Sequence, residues 1–108
     1  MSDAPVVVIA IFRPAAGARD DVLAALGRAI PRVHEEEGCT LYAIQEAADG
    51  VIWMVEHWTS QALLDAHGAG QPVADLNADL EGLLTEPVEV ITAAPIPFGD
   101  PAKGLVRA

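Results

Sequence analysis

Every residue from Val6 to Phe12 is apolar, and most are β-branched. A run of this kind predicts a strand covered on both faces, central in its sheet. Pro14 and Gly17 then punctuate a loop, and Asp20 and Asp21 put acid where a helix dipole favours it. Val22, Leu26, Ile30 and Val33 recur at helical spacing, giving that helix one apolar face. Pro31 lacks the N–H a helix interior uses, which predicts a kink in the last turn, and Gly38 reads as the C-cap.

Thr40 to Glu46 alternates as a second strand, and Asp49-Gly50 supplies a hairpin turn into a third, Val51 to Trp58. Alternation puts Val51, Trp53, Val55 and His57 on one face of that strand and Ile52, Met54, Glu56 and Trp58 on the other. Ser60 is placed to cap a helix in "SQALLDAHGAG", and a break from Gly68 to Pro72 precedes an amphipathic segment whose Val73, Leu76, Leu80, Leu83 and Leu84 share a face. Pro87 opens a fourth strand, "VEVITAA", and the proline-rich end "PIPFGDPAKGLVRA" reads as a tail or dimer arm. The expected organisation is one domain over residues 1–95 followed by a tail over 96–108, with no repeat and no interdomain linker.

The resulting order, β-α-β-β-α-β, predicts an α+β fold: a ferredoxin-like split β-α-β with an antiparallel sheet and helices on one face. Strands apolar on both sides, with helix enough for one side, predict that the other face packs on a second subunit. Composition points the same way. The chain has 108 residues, 52% of them hydrophobic, and a mean hydropathy of +0.31. A domain of this size buries only roughly 65% of its unfolded surface, so the apolar surplus also predicts a homodimer.

Sixteen acidic against six basic residues give a formal charge of −10 and a pI near 4.4. That is the wrong sign for neutralising phosphates, which argues against a nucleic-acid partner. No apolar run approaches the roughly 20 residues of a spanning helix, so no membrane association is expected. A lone Cys39 fits a reducing compartment, and the expected location is the cytoplasm.

Candidate chemistry concentrates in "VIWMVEHW" and the helix after it. Trp53 and Trp58 either pack a core or dimer interface or flatten the wall of a pocket for a planar ligand. Glu56, if inward, must be paired; a backbone group or an arginine is the expected partner. His34, His57 and His67 show no metal-ligand spacing, so no metal is expected. His67, beside glycines late in its helix, is the best candidate acid, base or polar contact, and it is as readily a packing histidine. Cys39 reads as structural and Glu35 to Glu37 as a solvated helix end. There is no Gly-rich phosphate loop, G-x-S-x-G or C-x-x-C, so no nucleotide cofactor has a visible seat.

Four segments in order, "PVVVIAIFRPAAGARDDV", "EEGCTLY", "VEHWTSQALLDAH" and "LLTEPVEV", resemble the antibiotic biosynthesis monooxygenase domain, including its quinol monooxygenase members. The resemblance covers about Pro5 to Pro95. It implies a dimeric α+β barrel of two ferredoxin-like subunits, and oxygenation of a phenolic, quinol or polyketide-like aromatic by O2 with no cofactor. Glu36, Gly38 and Tyr42 match the family's junction motif, Glu56 and Trp58 its E-x-W, and His67 its helix histidine. Gly70 and Pro72 depart from the serine and the histidine or aromatic that the family often carries there. The implied site has His67 as the catalytic base and Tyr42, Trp53, Met54, His57 and Trp58 around a small aromatic substrate. Two alternatives remain: a non-catalytic dimeric binding protein for an aromatic metabolite, and a haem-degrading relative. For the latter, Ala10 stands where an asparagine would be required.

Overall fold

The computed structural model of the chain describes residues 4–106. Its elements are β1 (Val6–Phe12), α1 (Arg19–His34), β2 (Cys39–Glu46), β3 (Ile52–Trp58), α2 (Gln61–Gly68), α3 (Gln71–Leu80) and β4 (Glu89–Ala93). The four strands form one antiparallel sheet in the order β2-β3-β1-β4, the ferredoxin-like arrangement. β1 is central, as its unbroken apolar run predicts.

Pairing of β1 with β3 sets Val6, Val8, Ala10 and Phe12 opposite Trp58, Glu56, Met54 and Ile52. Because the side-chain period is two, all of these share the face that the helices cover. Onto it α1 places Val22, Ala25, Leu26, Ala29 and Val33, and α3 places Leu76 and Leu80. Trp58, Leu26, Ile52, Met54, Val22 and Val33 are the largest fully buried side chains, each contributing roughly 1.5–3 kcal/mol through burial. Across the helix layer, Arg28 meets Asp79 at 3.3 Å and Arg32 meets Asp75 at 2.8 Å, joining α1 to α3.

Among the described residues no helix covers the opposite sheet face, although Ile11 and His57 on it are buried. Val7, Ile9 and Ile11 of β1 adjoin Trp53 and Val55 of β3, Leu41 and Ala43 of β2, and Ile91 of β4 on that side. Trp53 is 40% exposed and Ile91 45% exposed. Every residue of β4 is exposed, and residues 96–106 form turns with no helix or strand, Ile96 and Phe98 lying open. Among the described residues no helix is long and apolar enough to cross a membrane.

Local details follow sequence with some exceptions. Asp49 (φ 60°, ψ 30°) and Gly50 (φ 76°) both take positive φ, and the Val51 N–H closes the turn on the Ala48 carbonyl at 3.2 Å, as a primed hairpin turn requires. α1 continues through Pro31 to His34. Pro31 and Gly27, whose carbonyl the missing N–H would have met, both lie on the exposed side, where solvent can take that acceptor. Gly38 is therefore not the C-cap, since α1 ends four residues earlier; it makes the turn into β2. The segment expected as a single helix through Leu84 ends at Leu80, because Gly82 turns the chain at φ 80°. Leu83 and Leu84 instead run beside the loop after β1: the Ala15 N–H bonds the Leu83 carbonyl at 2.8 Å, and Leu84 bridges to Pro14.

Candidate functional site

Between the sheet and the helices lies a cluster of polar and aromatic groups at one end of an otherwise apolar layer. Strand register supplies three of them. Tyr42 on β2 pairs with Glu56 on β3, so both face inward, and Trp58, two residues after Glu56, faces the same way. The register is unbroken from Leu41 to Glu46 and shifts between Cys39 and Leu41. Directly after β3, the Ser60 hydroxyl oxygen accepts the Leu63 N–H at 3.2 Å and starts α2. A helix begun there turns His67 onto the sheet, where it is 8% exposed. The loop leaving α1 brings Glu36 from the other side.

The ring of His67 lies against the Trp58 indole, centroids 4.5 Å apart and planes tilted by 34°. Tyr42 meets it edge-on at 5.5 Å. Its Nδ1 is 2.8 Å from Glu36 Oε1, while none of the described residues bonds its Nε2. The second oxygen of Glu36, Oε2, is buried with no hydrogen-bond partner among the described residues. Trp58 donates its Nε1–H to Glu56 Oε1 at 2.8 Å, so the partner of the inward glutamate is an indole rather than a backbone group or an arginine. Behind Tyr42, His34 Nε2 and the Tyr42 carbonyl oxygen are 3.0 Å apart.

Burial dominates the electrostatics. It raises the Glu56 carboxyl above its ordinary value, against the lowering effects of the Trp58 hydrogen bond and of His67. Burial, then the Glu56 and Glu36 carboxylates, push the Tyr42 phenol well up, so Tyr42 stays a neutral hydrogen-bonding group. Cys39, half-buried, has its thiol raised by burial and then by Glu36, which does not favour a thiolate nucleophile.

A groove of about 280 Å³ opens beside His67, lined by Glu36, Glu37, Leu63, Ala66, Gly70 and Pro72. Gly70 and Pro72, the two positions that depart from the resemblance, are thus part of its lining. A second hollow, of about 420 Å³, lies along β2 past His34, Cys39 and Tyr42. Among the described residues no three histidine, cysteine or acidic side chains are grouped to hold a metal ion. Ala10, where a haem-degrading function would require an asparagine, is a buried core residue opposite Met54 and offers no polar side-chain group.

The six side chains expected around one site divide in two. Tyr42, Trp58 and His67 come together. Met54 shares their face but is fully buried in the core. Trp53 and His57 lie on the opposite face, which no helix covers; His57 is nonetheless buried, its Nδ1 engaged by the Thr40 hydroxyl, which also bonds the His57 carbonyl at 3.0 Å. Alternation along β3 already separates these residues. The Glu36–His67 pair had no such signal: 31 positions part the two, and Glu36 sits inside a triple glutamate that reads as solvated surface.

Comparison with known proteins identifies the family and the fold. The family model described as "Antibiotic biosynthesis monooxygenase" matches residues 5–78. The Rv0793 protein of Mycobacterium tuberculosis, provisionally named a monooxygenase, is 37% identical over 93 residues, which is 85% of this chain and 92% of the relative. The solved structure of Rv0793 superposes with a TM-score of 0.82 at 35% identity, covering 90% of this chain and all of the other. At 18% identity, a conserved protein from Methanosarcina mazei shares the fold, with a TM-score of 0.79 over 85% of this chain and 93% of its own. The chain belongs to the antibiotic biosynthesis monooxygenase family.

Proposed function

We propose that the protein is a monooxygenase that uses O2 to oxidise a phenolic, quinol or polyketide-like aromatic without an added cofactor. One observation carries this reading most directly: a histidine with a bound carboxylate partner stands between Trp58 and Tyr42, beside a groove with Leu63, Ala66 and Pro72 in its wall. Aliphatic walls beside a few convergent polar groups suit an apolar, weakly acidic ligand. His67 takes the phenolic proton. The phenolate, held away from water, is electron-rich at its ring carbons and transfers an electron to O2. Recombination forms a C–O bond, and the hydroperoxide loses water. A phenol C–H and O2 thus become a quinone C=O and H2O. The substrate supplies all four electrons, so the balance needs no external reductant.

The same reading includes pairing of two copies through the uncovered sheet face, supported by the apolar row of Val7, Ile9, Ile11, Val55 and Ile91 and the half-open Trp53. Light scattering should find a dimer, and Trp53→Glu should give monomers.

Oxygen uptake by the purified protein against a panel of hydroquinones, naphthoquinols and anthrones tests the chemistry, with autoxidation subtracted. Saturable uptake that falls at least roughly 10²-fold in His67→Ala is expected, the usual weight of acid–base catalysis. Saturable quenching of tryptophan by these compounds with no uptake would instead make the protein a carrier or sensor of aromatics.

A further inference from the structure

We propose that Glu36 is a positioning residue: its carboxylate accepts the Nδ1–H of His67 and so fixes the tautomer in which Nε2 is the bare nitrogen offered to the groove. An ionised carboxylate can only accept a hydrogen bond. At 2.8 Å from Glu36 Oε1, the nitrogen of a neutral imidazole must therefore be the protonated one. Among the described residues nothing else competes for the pair: Glu36 Oε2 has no hydrogen-bond partner, so His67 is the one group bonded to the carboxylate, and Nε2 is unclaimed.

The surroundings hold both partners still. Trp58 covers one face of the ring and Tyr42 meets it from the side, so turning the imidazole over disturbs two aromatic contacts and the carboxylate bond together. Glu36 is pinned through its backbone, its N–H bonding the Val33 carbonyl at 2.9 Å and its carbonyl accepting from Cys39 at 3.3 Å. The other ionisable groups near the ring are Glu37 from the same loop, Glu56 of β3 and Tyr42 of β2; no lysine or arginine lines the groove. A carboxylate–imidazole pair that sets the tautomer is a general device for making a histidine a directed base. Its catalytic consequence rests on the monooxygenase reading above, whereas the tautomer itself does not.

The test is ¹⁵N–¹H long-range NMR of the ring nitrogens of His67, assigned by its loss in His67→Ala and followed up in pH until the ring is neutral. Expected for the unaltered protein is a protonated Nδ1 and a bare Nε2. Glu36→Leu, which removes the acceptor, should move the ring toward Nε2–H or to exchange between both forms. Glu36→Gln, whose amide oxygen can still accept, should restore a large share of Nδ1–H. In the oxygen-uptake assay the leucine variant should lose roughly ten- to a hundredfold in kcat with KM little changed, part of the roughly 10²–10⁴-fold that acid–base catalysis supplies. A bare Nδ1 in the unaltered protein, or a tautomer unchanged in Glu36→Leu, overturns the assignment. Absence of oxygen uptake with the expected tautomer would reject the monooxygenase reading and leave the assignment of Glu36 standing.

Discussion

Trp58 donates its indole N–H to a carboxylate oxygen of Glu56 two residues earlier on the same strand face, at 2.8 Å. The bond satisfies a fully buried indole and gives a buried glutamate one partner. One hydrogen bond does not offset the loss of hydration, and burial leaves the Glu56 carboxyl raised.

A raised carboxyl makes a signed prediction about stability. The folded state holds the Glu56 proton more tightly than the unfolded chain, so its contribution is full below the unfolded value of 4.5 and is lost as pH rises through the folded value. Glu56→Gln keeps an oxygen to accept from Trp58 and removes the titration. Urea denaturation at matched pH values should show the glutamine variant gaining stability relative to the parent between acid and neutral pH. A difference that stays flat over that interval would place the Glu56 titration at its ordinary value.

The two tryptophans report on different sides of the sheet. Trp58 is fully buried against His67, whereas Trp53 is 40% exposed on the uncovered face. In Trp53→Phe the remaining emission should be blue-shifted and quenched by a ligand bound beside His67. A Trp58→Phe variant should emit further to the red and respond little to that ligand. Quenching confined to Trp53 would move the binding site to the opposite face.

How far such features are legible in the sequence depends on their range. Strand periodicity, the Asp49-Gly50 turn and the Ser60 cap are encoded over a few residues and can be read directly. The stop at Leu80 was hidden because Leu83 and Leu84 prolong the helical spacing, and only the packing of that segment on the loop after β1 shows where they belong. Within the candidate site, the inward set of Tyr42, Glu56 and Trp58 follows from alternation once the register is known. The groups those side chains bond do not, because the Glu36–His67 contact is made by a loop and a helix whose meeting depends on the whole fold.

Gly38 shows the cost of that meeting in stability. It sits at φ +86°, and an added Cβ would lie 2.6 Å from Leu63 Cδ1 and 2.8 Å from Leu63 Cβ. Neither the backbone nor the neighbour accommodates a methyl group. Gly38→Ala should destabilise by roughly 2–4 kcal/mol, from left-handed strain plus overpacking. Leu63→Ala frees part of that space, so the double variant should lose less than the sum of the single losses. Strict additivity in a double-mutant cycle would mean that the strain resides in the backbone and in the Leu63 Cβ contact, which alanine keeps, and not in the contact with Cδ1.

Charge around the groove predicts what the site rejects. Glu36 and Glu37 line it with no lysine or arginine among the described residues, and the protein as a whole carries a formal charge of −10. A substrate carboxylate would lose water on entering and find no cation in return, which is costly in a partly buried site. A neutral hydroquinone should therefore be preferred to its carboxylated analogue at least roughly tenfold in kcat/KM, equivalent to about 1.4 kcal/mol. Part of the penalty is long-range repulsion, so raising salt from about 0.1 to 1 M, which shortens the screening length from about 10 to 3 Å, should narrow the gap without closing it. Equal use of both compounds at low salt would mean that the reacting ring binds away from Glu36 and Glu37, and with it would go the placement of substrate beside His67.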